Sequence, residues 1–197
     1  RDAQLRALRL QVNPHFLFNS LNAISALVSA QSNREANRML GYVADFLRAT
    51  LAHDGRHEHS LAEELALPDA YLKIEQARLG ERLCLNMKAG PDLLDNVMPY
   101  LMLQPLIENA IRHGIAPLSV PGRLDIRLEQ VGGRLLVEVR NDGQQPAQPG
   151  CGIGLANVRE RLRHLYGDDQ EVEAGWGQDG RFGVRIALPL RSMEAVA

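Results

Sequence analysis

The chain has 197 residues, 45% of them hydrophobic, with 22 basic against 24 acidic side chains and a formal net charge of −2. That is enough for one ordinary domain with a helical appendage and for a real core, and it gives no net charge to attract nucleic acid or an anionic membrane. Arginines are scattered among acidic residues and only 5% of residues are aromatic, so the basic faces and stacking platforms of nucleic-acid binders are missing.

Cys84 and Cys151 lie far apart with no metal-ligand spacing, which suits a reduced compartment without excluding a disulfide. No apolar run reaches bilayer length and no signal peptide is visible. The helical pattern is already under way at Arg1, so the sequence reads as a piece whose upstream part is absent.

Residues 1 to about 54 read as two helices. Leu17, Leu21, Ile24 and Val28 recur at spacings of four, three and four, the stripe a helix buries in a bundle. Gln11, His15, Asn19 and Asn22 fall on roughly the opposite face. Ser32 and Glu35 have the spacing of a capping box for a second helix, striped by Ala36, Leu40, Val43, Leu47 and Leu51. Two helices bury two such stripes poorly, and pairing with a second copy to make four helices is the natural remedy. The HDGRHEH stretch at 53 to 59 carries three histidines beside Gly55 and reads as a solvated linker in preference to a metal site.

From Ser60 the periods mix. Ser60 and Glu63 suggest another capping box opening a helix to about Arg78, and Leu83, Leu85 and Met87 alternate as a strand. Pro99 sits near the start of a helix predicted to run to His113, with Gly114 ending it. Leu124, Ile126 and Leu128 alternate, Gly132 and Gly133 make a hairpin turn, and Leu135, Val137 and Val139 alternate again. Residues 143 to 150 form a Gln/Pro-rich loop, 153 to 166 a helix, and Phe182, Val184, Ile186 and Leu188 a one-faced strand. The economical arrangement is an α+β fold, a helical hairpin followed by a two-layer α/β sandwich with a mainly antiparallel sheet. No internal repeat is visible.

Candidate chemistry gathers at a few places, each with a plainer reading beside it. Asn109 and His113 share a helix face, and a carboxamide oxygen suits Mg²⁺; Glu108 and Asn109 would equally serve as solvent-facing residues, with Glu108 paired to Arg112. Asp142, at a strand end, could accept from the exocyclic amine of adenine, or Asn141-Asp142-Gly143 is simply an Asx turn. Gly150, Gly152 and Gly154 lead into a helix whose first N–H groups suit phosphate, but Asn157 stands where a dinucleotide fingerprint would want glycine and no strand precedes. His15 follows Pro14 on a polar face and is either a phosphoacceptor or a surface histidine; Phe16 and Phe18 flank it as a prospective docking surface.

These segments, in this order, resemble the LytS-like sensor histidine kinases. QVNPHFLFNSLN at 11 to 22 resembles the phosphoacceptor box, AEELALPDAYLKIEQARLGERL at 62 to 83 the connecting helix, PYLMLQPLIENAIRHG at 99 to 114 the N box, and GCGIGLANVRERLRHLYG at 150 to 167 the second glycine box with its helix. The resemblance implies a dimerisation and phosphotransfer hairpin over 1 to 58, forming a four-helix bundle in a homodimer, and a Bergerat-type ATP-binding domain over 59 to 197. It implies ATP and Mg²⁺ as cofactors, His15 as acceptor, Glu108 as the group that takes the proton or holds the imidazole, and Asn109 as Mg²⁺ ligand. Asp142 would read adenine, Gly152 and Gly154 would face the phosphates, and His113 and Asn157 would be their neighbours.

The partner implied is the receiver domain of a response regulator, in some members one with a LytTR DNA-binding domain, so that nucleic acid is not bound directly. A missing upstream segment would anchor the whole protein in the cell inner membrane with this part on the cytoplasmic face. One departure stands out. Where the family tends to have Asn-Gly-x-Gly after the aspartate, this chain has Gly143-Gln144-Gln145-Pro146, which lacks a lid-side glycine. The alternatives left by the residues are a catalytically silent nucleotide-binding or interaction module, an ATP hydrolase using Glu108, and a structural helical adaptor.

Overall fold

The computed structural model describes residues 14–51, 56–145 and 153–192. The chain divides into two compact units, a helical one up to Arg56 and again over Ala66–Gly80, and a sheet-containing one made of His57–Leu65 and the chain from Glu81 on.

In the helical unit, α1 (Pro14–Ser29) and α2 (Asn33–Leu51) form a hairpin whose connection passes through Gln31 at φ 58. The first backbone bond of α2 runs from the Ala36 N–H to the Ser32 carbonyl at 3.0 Å. The buried residues are Phe16, Ser20 and Ile24 on α1 and Ala36, Met39, Val43, Phe46 and Thr50 on α2. Phe16 packs with Phe46 at 4.9 Å between ring centroids and with Tyr71 at 4.8 Å, a spacing typical of aromatic pairs. The buried Ser20 and Thr50 hydroxyls donate to the carbonyls of Phe16 and Phe46, each at 2.8 Å, so neither is left unsatisfied.

Within the single chain only part of each predicted stripe is covered. Ile24 is buried, but Leu21 is 52% exposed and Val28 53%; on α2, Leu40 is 47% and Leu51 66% exposed. Helix α1 carries apolar residues on both sides of Ser20, and periodicity alone cannot say which side faces its neighbour. For the same reason Phe16 belongs to the core and not to a docking surface, whereas Phe18 is 66% exposed as expected.

In the other unit, β1 (Glu58–Ser60) pairs antiparallel with β3 (Val97–Pro99). The next helix, α3 (Leu61–Leu79), opens with the predicted capping box: the Ser60 N–H donates to Glu63 Oε2 at 2.9 Å and the Glu63 N–H to Ser60 Oγ at 3.2 Å. Strands β2 (Leu83–Ala89), β4 (Gly122–Val131), β5 (Arg134–Asn141), β6 (Glu171–Trp176) and β7 (Phe182–Pro189) make one sheet in the order β2-β4-β5-β7-β6. Only β2 and β4 are parallel; the sheet is mixed and mainly antiparallel. Gly132 and Gly133, at φ 57 and 76, supply the two left-handed residues of a tight hairpin.

Leu124, Ile126 and Leu128 of β4 are buried while Asp125 between them is half-exposed and Arg127 exposed, the period-two signature of a sheet covered on one face. The cover comes from α4 (Leu103–Asn109), continued as a π-helical turn over Ala110–Ile115, and from α5 (Ile153–Tyr166), whose Leu155, Val158 and Leu162 are buried.

Two boundaries differ from expectation. Pro99 ends β3 instead of opening a helix, and the helix does not stop at Gly114. Gly114 sits inside the π turn because a Cβ there would lie 2.0 Å from Asn141 Nδ2: it is a glycine for close approach and not for a cap. His59, predicted to be solvated, is buried at 6% exposure with its ring 4.9 Å from that of Tyr100.

Candidate functional site

The polar motifs of the sheet-containing unit converge on the last turns of α4. Asn109 ends the α-helical part, half-buried, and the chain then widens into the π turn, a feature that recurs at functional positions. A Cβ on Gly154, in the first turn of α5, would lie 2.7 Å from Asn109 Nδ2, so only a glycine lets that helix start so close to the carboxamide. At the other side, a Cβ on Gly143 would meet Gly114 Cα at 3.2 Å and Trp176 Cη2 at 3.3 Å. The end of β5 and the start of α5 thus both close on α4. Asn109 offers a neutral carboxamide beside Gly154, its nitrogen nearest that glycine and its oxygen 3.6 Å from the same Cβ position, and a carboxamide oxygen is a donor that fits a hard cation carrying phosphate oxygens.

Glu108 accepts a hydrogen bond from the Gln104 side-chain nitrogen at 2.7 Å, which orients its carboxylate one residue from Asn109. His113 lies exposed on the π turn, and Asn157 exposed on α5. Gly152 and the loop glycine Gly150 lie outside the described residues, as do Gln11, His53 and Cys151.

Asp142 has a fuller set of partners than a turn residue needs. The Arg123 N–H donates to its Oδ2 at 2.8 Å, and Arg181 Nε lies 2.8 Å from its Oδ1. The same guanidinium reaches Asp125 Oδ2 at 2.6 Å. Burial alone would raise the Asp125 pKa, but hydrogen bonds from Asn86 and Arg181 outweigh it and hold the carboxyl below its usual range. The Asn141 carboxamide is instead buried at 4% exposure, in line with Val137 and Val139, and donates to the Asp142 carbonyl at 2.8 Å. Asn141 was read only as part of an Asx turn and Arg181 was not singled out by the sequence; an Arg among turn residues gives no local signal of the acids it will meet.

A second unforeseen residue is Glu64. It is 4% exposed and accepts the N–H groups of Leu101, Met102 and Leu103 at 2.9, 2.7 and 2.9 Å. Burial pushes its pKa up to about 7, against the pull of those three donors and of the Arg161 charge.

In the helical unit, His15 is exposed near the start of α1. The Asn19 side-chain nitrogen, one turn on, lies 3.2 Å from its Nδ1 and 3.4 Å from its Nε2. A carboxamide in that place biases the imidazole tautomer and its orientation while leaving the ring on the surface.

Comparison with known proteins agrees with this geometry. Residues 3–83 match the family described as histidine kinase, and residues 94–192 match the histidine kinase-, DNA gyrase B- and HSP90-like ATPase family. The chain is 35% identical over 192 residues to the sensor histidine kinase BtsS of Escherichia coli strain K12, covering 96% of this chain and 34% of that protein. It is 30% identical over 212 residues to the sensor protein LytS of Oceanobacillus iheyensis, covering 100% of this chain and 36% of that one. The chain belongs to the LytS-like sensor histidine kinases. It spans about a third of the length of these relatives. Among solved structures, the histidine kinase domain of the Erythrobacter litoralis EL346 blue-light activated histidine kinase aligns with 96% of this chain and 94% of its own, at TM-score 0.53 and 18% identity, a likeness of fold.

Proposed function

We propose that this chain is the kinase portion of a two-component sensor, which moves the γ-phosphoryl group of ATP to His15 and from there to an aspartate of a response-regulator receiver domain. The observation that carries the reading is the approach of Gly154 to Asn109, which brings the N-box helix and the glycine-box helix together around one carboxamide. Asn109 would hold Mg²⁺, which when bound offsets the triphosphate charge.

The chain's own residues do the rest. Gly154, and Gly152 before it, let the backbone amides at the start of α5 approach the phosphates, with His113 and Asn157 as neighbours on that side. A ring nitrogen of His15 attacks the γ-phosphorus in line; the N–P bond forms as the bond to the leaving ADP oxygen breaks. The ring proton passes to Glu108, whose carboxylate Gln104 orients. In the second transfer the N–P bond breaks as a receiver aspartate oxygen takes the phosphoryl group. Asp142 reads the adenine amine, and to do so it must share the oxygen now facing Arg181 or release that guanidinium.

Phe18, Leu21, Val28, Leu40 and Leu51, all large, apolar and exposed, support a homodimer through the hairpin, as do the family's dimers in general. We place the division of labour at 1 to 58 for dimerisation and transfer and 59 to 197 for ATP binding. The receiver would in some systems carry a LytTR domain. No described helix is long and apolar enough to cross a membrane. The greater length of the sensor relatives supports an inner-membrane anchor outside this stretch of sequence, with this part on the cytoplasmic face.

Incubation of the chain and of His15→Gln with Mg²⁺ and γ-labelled ATP tests the reading. Acid-labile, alkali-stable label on the parent and none on the variant is the expected result. Equal label on both moves the acceptor elsewhere, and phosphate release without any protein label turns the chain into an ATP hydrolase.

A further inference from the structure

The turn between β3 and α4 is held more tightly than a loop requires. Leu101 stands at φ 54, a left-handed conformation that costs a residue with a β-carbon about 1 kcal/mol or more. Met102, the residue before α4, makes no side-chain cap. The three N–H groups that would be orphaned there go instead to Glu64, a residue of the first turns of α3. A carboxylate is the ligand a helix N-terminus favours, since it answers the unpaired donors and the dipole together.

The same turn is gripped from two other sides. Arg161 of α5 donates to the Tyr100 carbonyl, and the Tyr100 N–H donates to the His57 carbonyl at 2.9 Å. A strained backbone persists when its surroundings over-determine it, and here His57, just before β1, together with α3 and α5 does so. Glu64 also stands at a break in α3. Pro68 lies inside that helix and lacks the N–H that would bond the Glu64 carbonyl, and the chain leaves the sheet-containing unit after Leu65. The first turn of α3 is therefore fastened to α4 where its own ladder is interrupted.

We propose that Glu64 is a positioning residue of the kinase: its carboxylate holds the Leu101 turn and so sets where α4 starts, and with it the placement of the Asn109 carboxamide at the far end of that helix. The proposal rests on the reading of Asn109 as the Mg²⁺ ligand. Helix α4 is short and packed along its length, so a shift at its first residue has no slack in which to be absorbed before Asn109. Glu64→Gln keeps the shape of the side chain but can accept through one oxygen only, and it points an N–H of its own at a backbone donor.

The experiment is titration calorimetry of the whole chain with ADP, with and without Mg²⁺, well below the melting temperature of each variant. Folded Glu64→Gln is expected to lose about tenfold of the Mg²⁺-dependent gain in affinity, the usual order for a residue one step behind a metal ligand, and less than about threefold of the Mg²⁺-free affinity. Adding Leu101→Gly, which removes the strain from the turn, is expected to restore part of that gain. A carboxylate that merely stabilised the fold would lower the melting temperature and leave the Mg²⁺-dependent gain intact, and that outcome overturns the proposal. If Glu64→Gln does not fold, Glu64→Asp must show the same selective loss to a smaller degree, and an unchanged gain there also overturns it. A parent chain with no Mg²⁺-dependent gain defeats the Asn109 reading itself and takes this proposal with it, whereas an intact parent and an indifferent variant defeat only the role of Glu64.

Discussion

The two units of this chain differ in how much apolar surface they leave open and in where their buried polar groups find partners. The helical unit leaves Phe18, Leu21, Val28, Leu40 and Leu51 half or more exposed or close to it, and the polar side chains it buries, Ser20, Thr50 and Glu75, are answered within their own helices. The sheet-containing unit hides its main apolar face under α4 and α5, with Val120 before β4 and Val131 at its end exposed, and buries His59, Glu64, Asn96, Gln104 and Asn141, of which Glu64 is answered from another element. A unit with spare apolar surface is unfinished until something covers it, and one with buried, oriented polar groups is finished and prepared for chemistry. The contrast fits a hairpin completed by a second copy and an ATP-binding unit complete in itself.

The sharpest way to break that contrast is to truncate one apolar residue in each unit. Ile126→Ala, at a fully buried sheet position, is expected to cost about 3 to 4 kcal/mol in denaturant unfolding. Leu21→Ala should cost the fold less than about 0.5 kcal/mol and instead weaken dimerisation in sedimentation. Equal losses of fold stability at both positions would mean that Leu21 is covered within the single chain.

The next largest effect concerns the buried polar groups and pH. Burial raises the Glu64 pKa from the ordinary 4.5 to about 7, with Arg161 and Tyr100 the charged and titratable groups facing it. A raised carboxyl pKa means the folded state binds the proton more tightly than the unfolded one. Its contribution is then fully present below 4.5 and lost as pH rises through about 7, a change of up to about 3 kcal/mol. Unfolding free energies of the parent relative to Glu64→Gln should therefore fall between pH 5 and pH 8, and a flat difference would show that the three N–H donors dominate over burial.

The smallest expected effect probes the cradle itself. Gly154→Ala puts a methyl group 2.7 Å from Asn109 Nδ2 and is expected to lower the rate of His15 labelling about tenfold while moving the melting temperature little. Unchanged labelling would separate the glycine from the phosphate-binding end of the site.

Much of this architecture was already legible in the sequence, for reasons that are local. The Ser60–Glu63 capping box, the Gly132–Gly133 turn and the alternation in β4, β5 and β7 depend on neighbours a few residues away, and each appears where expected. Strands β1, β3 and β6 were not predicted: the first two are three residues long, and β6 alternates only between exposed and half-buried positions, so pairing and not pattern makes them strands. The order of the His15, Asn109 and Gly154 segments identified the family, because the chemistry of each segment is written in consecutive residues.

What only the tertiary structure decided is where distant residues meet. Periodicity marked apolar faces on α1 and α2 but not which of them packs inward, since a helix with two apolar sides satisfies the pattern either way. Gly114 carried the signal of a helix end and proved to be the space that Asn141 requires. Asp142 meeting Arg181, and Glu64 meeting the backbone of Leu101 to Leu103, bring together groups that are far apart along the chain. A carboxylate's role is set by the donors that reach it, and when those donors arrive from other elements only the folded chain brings them there.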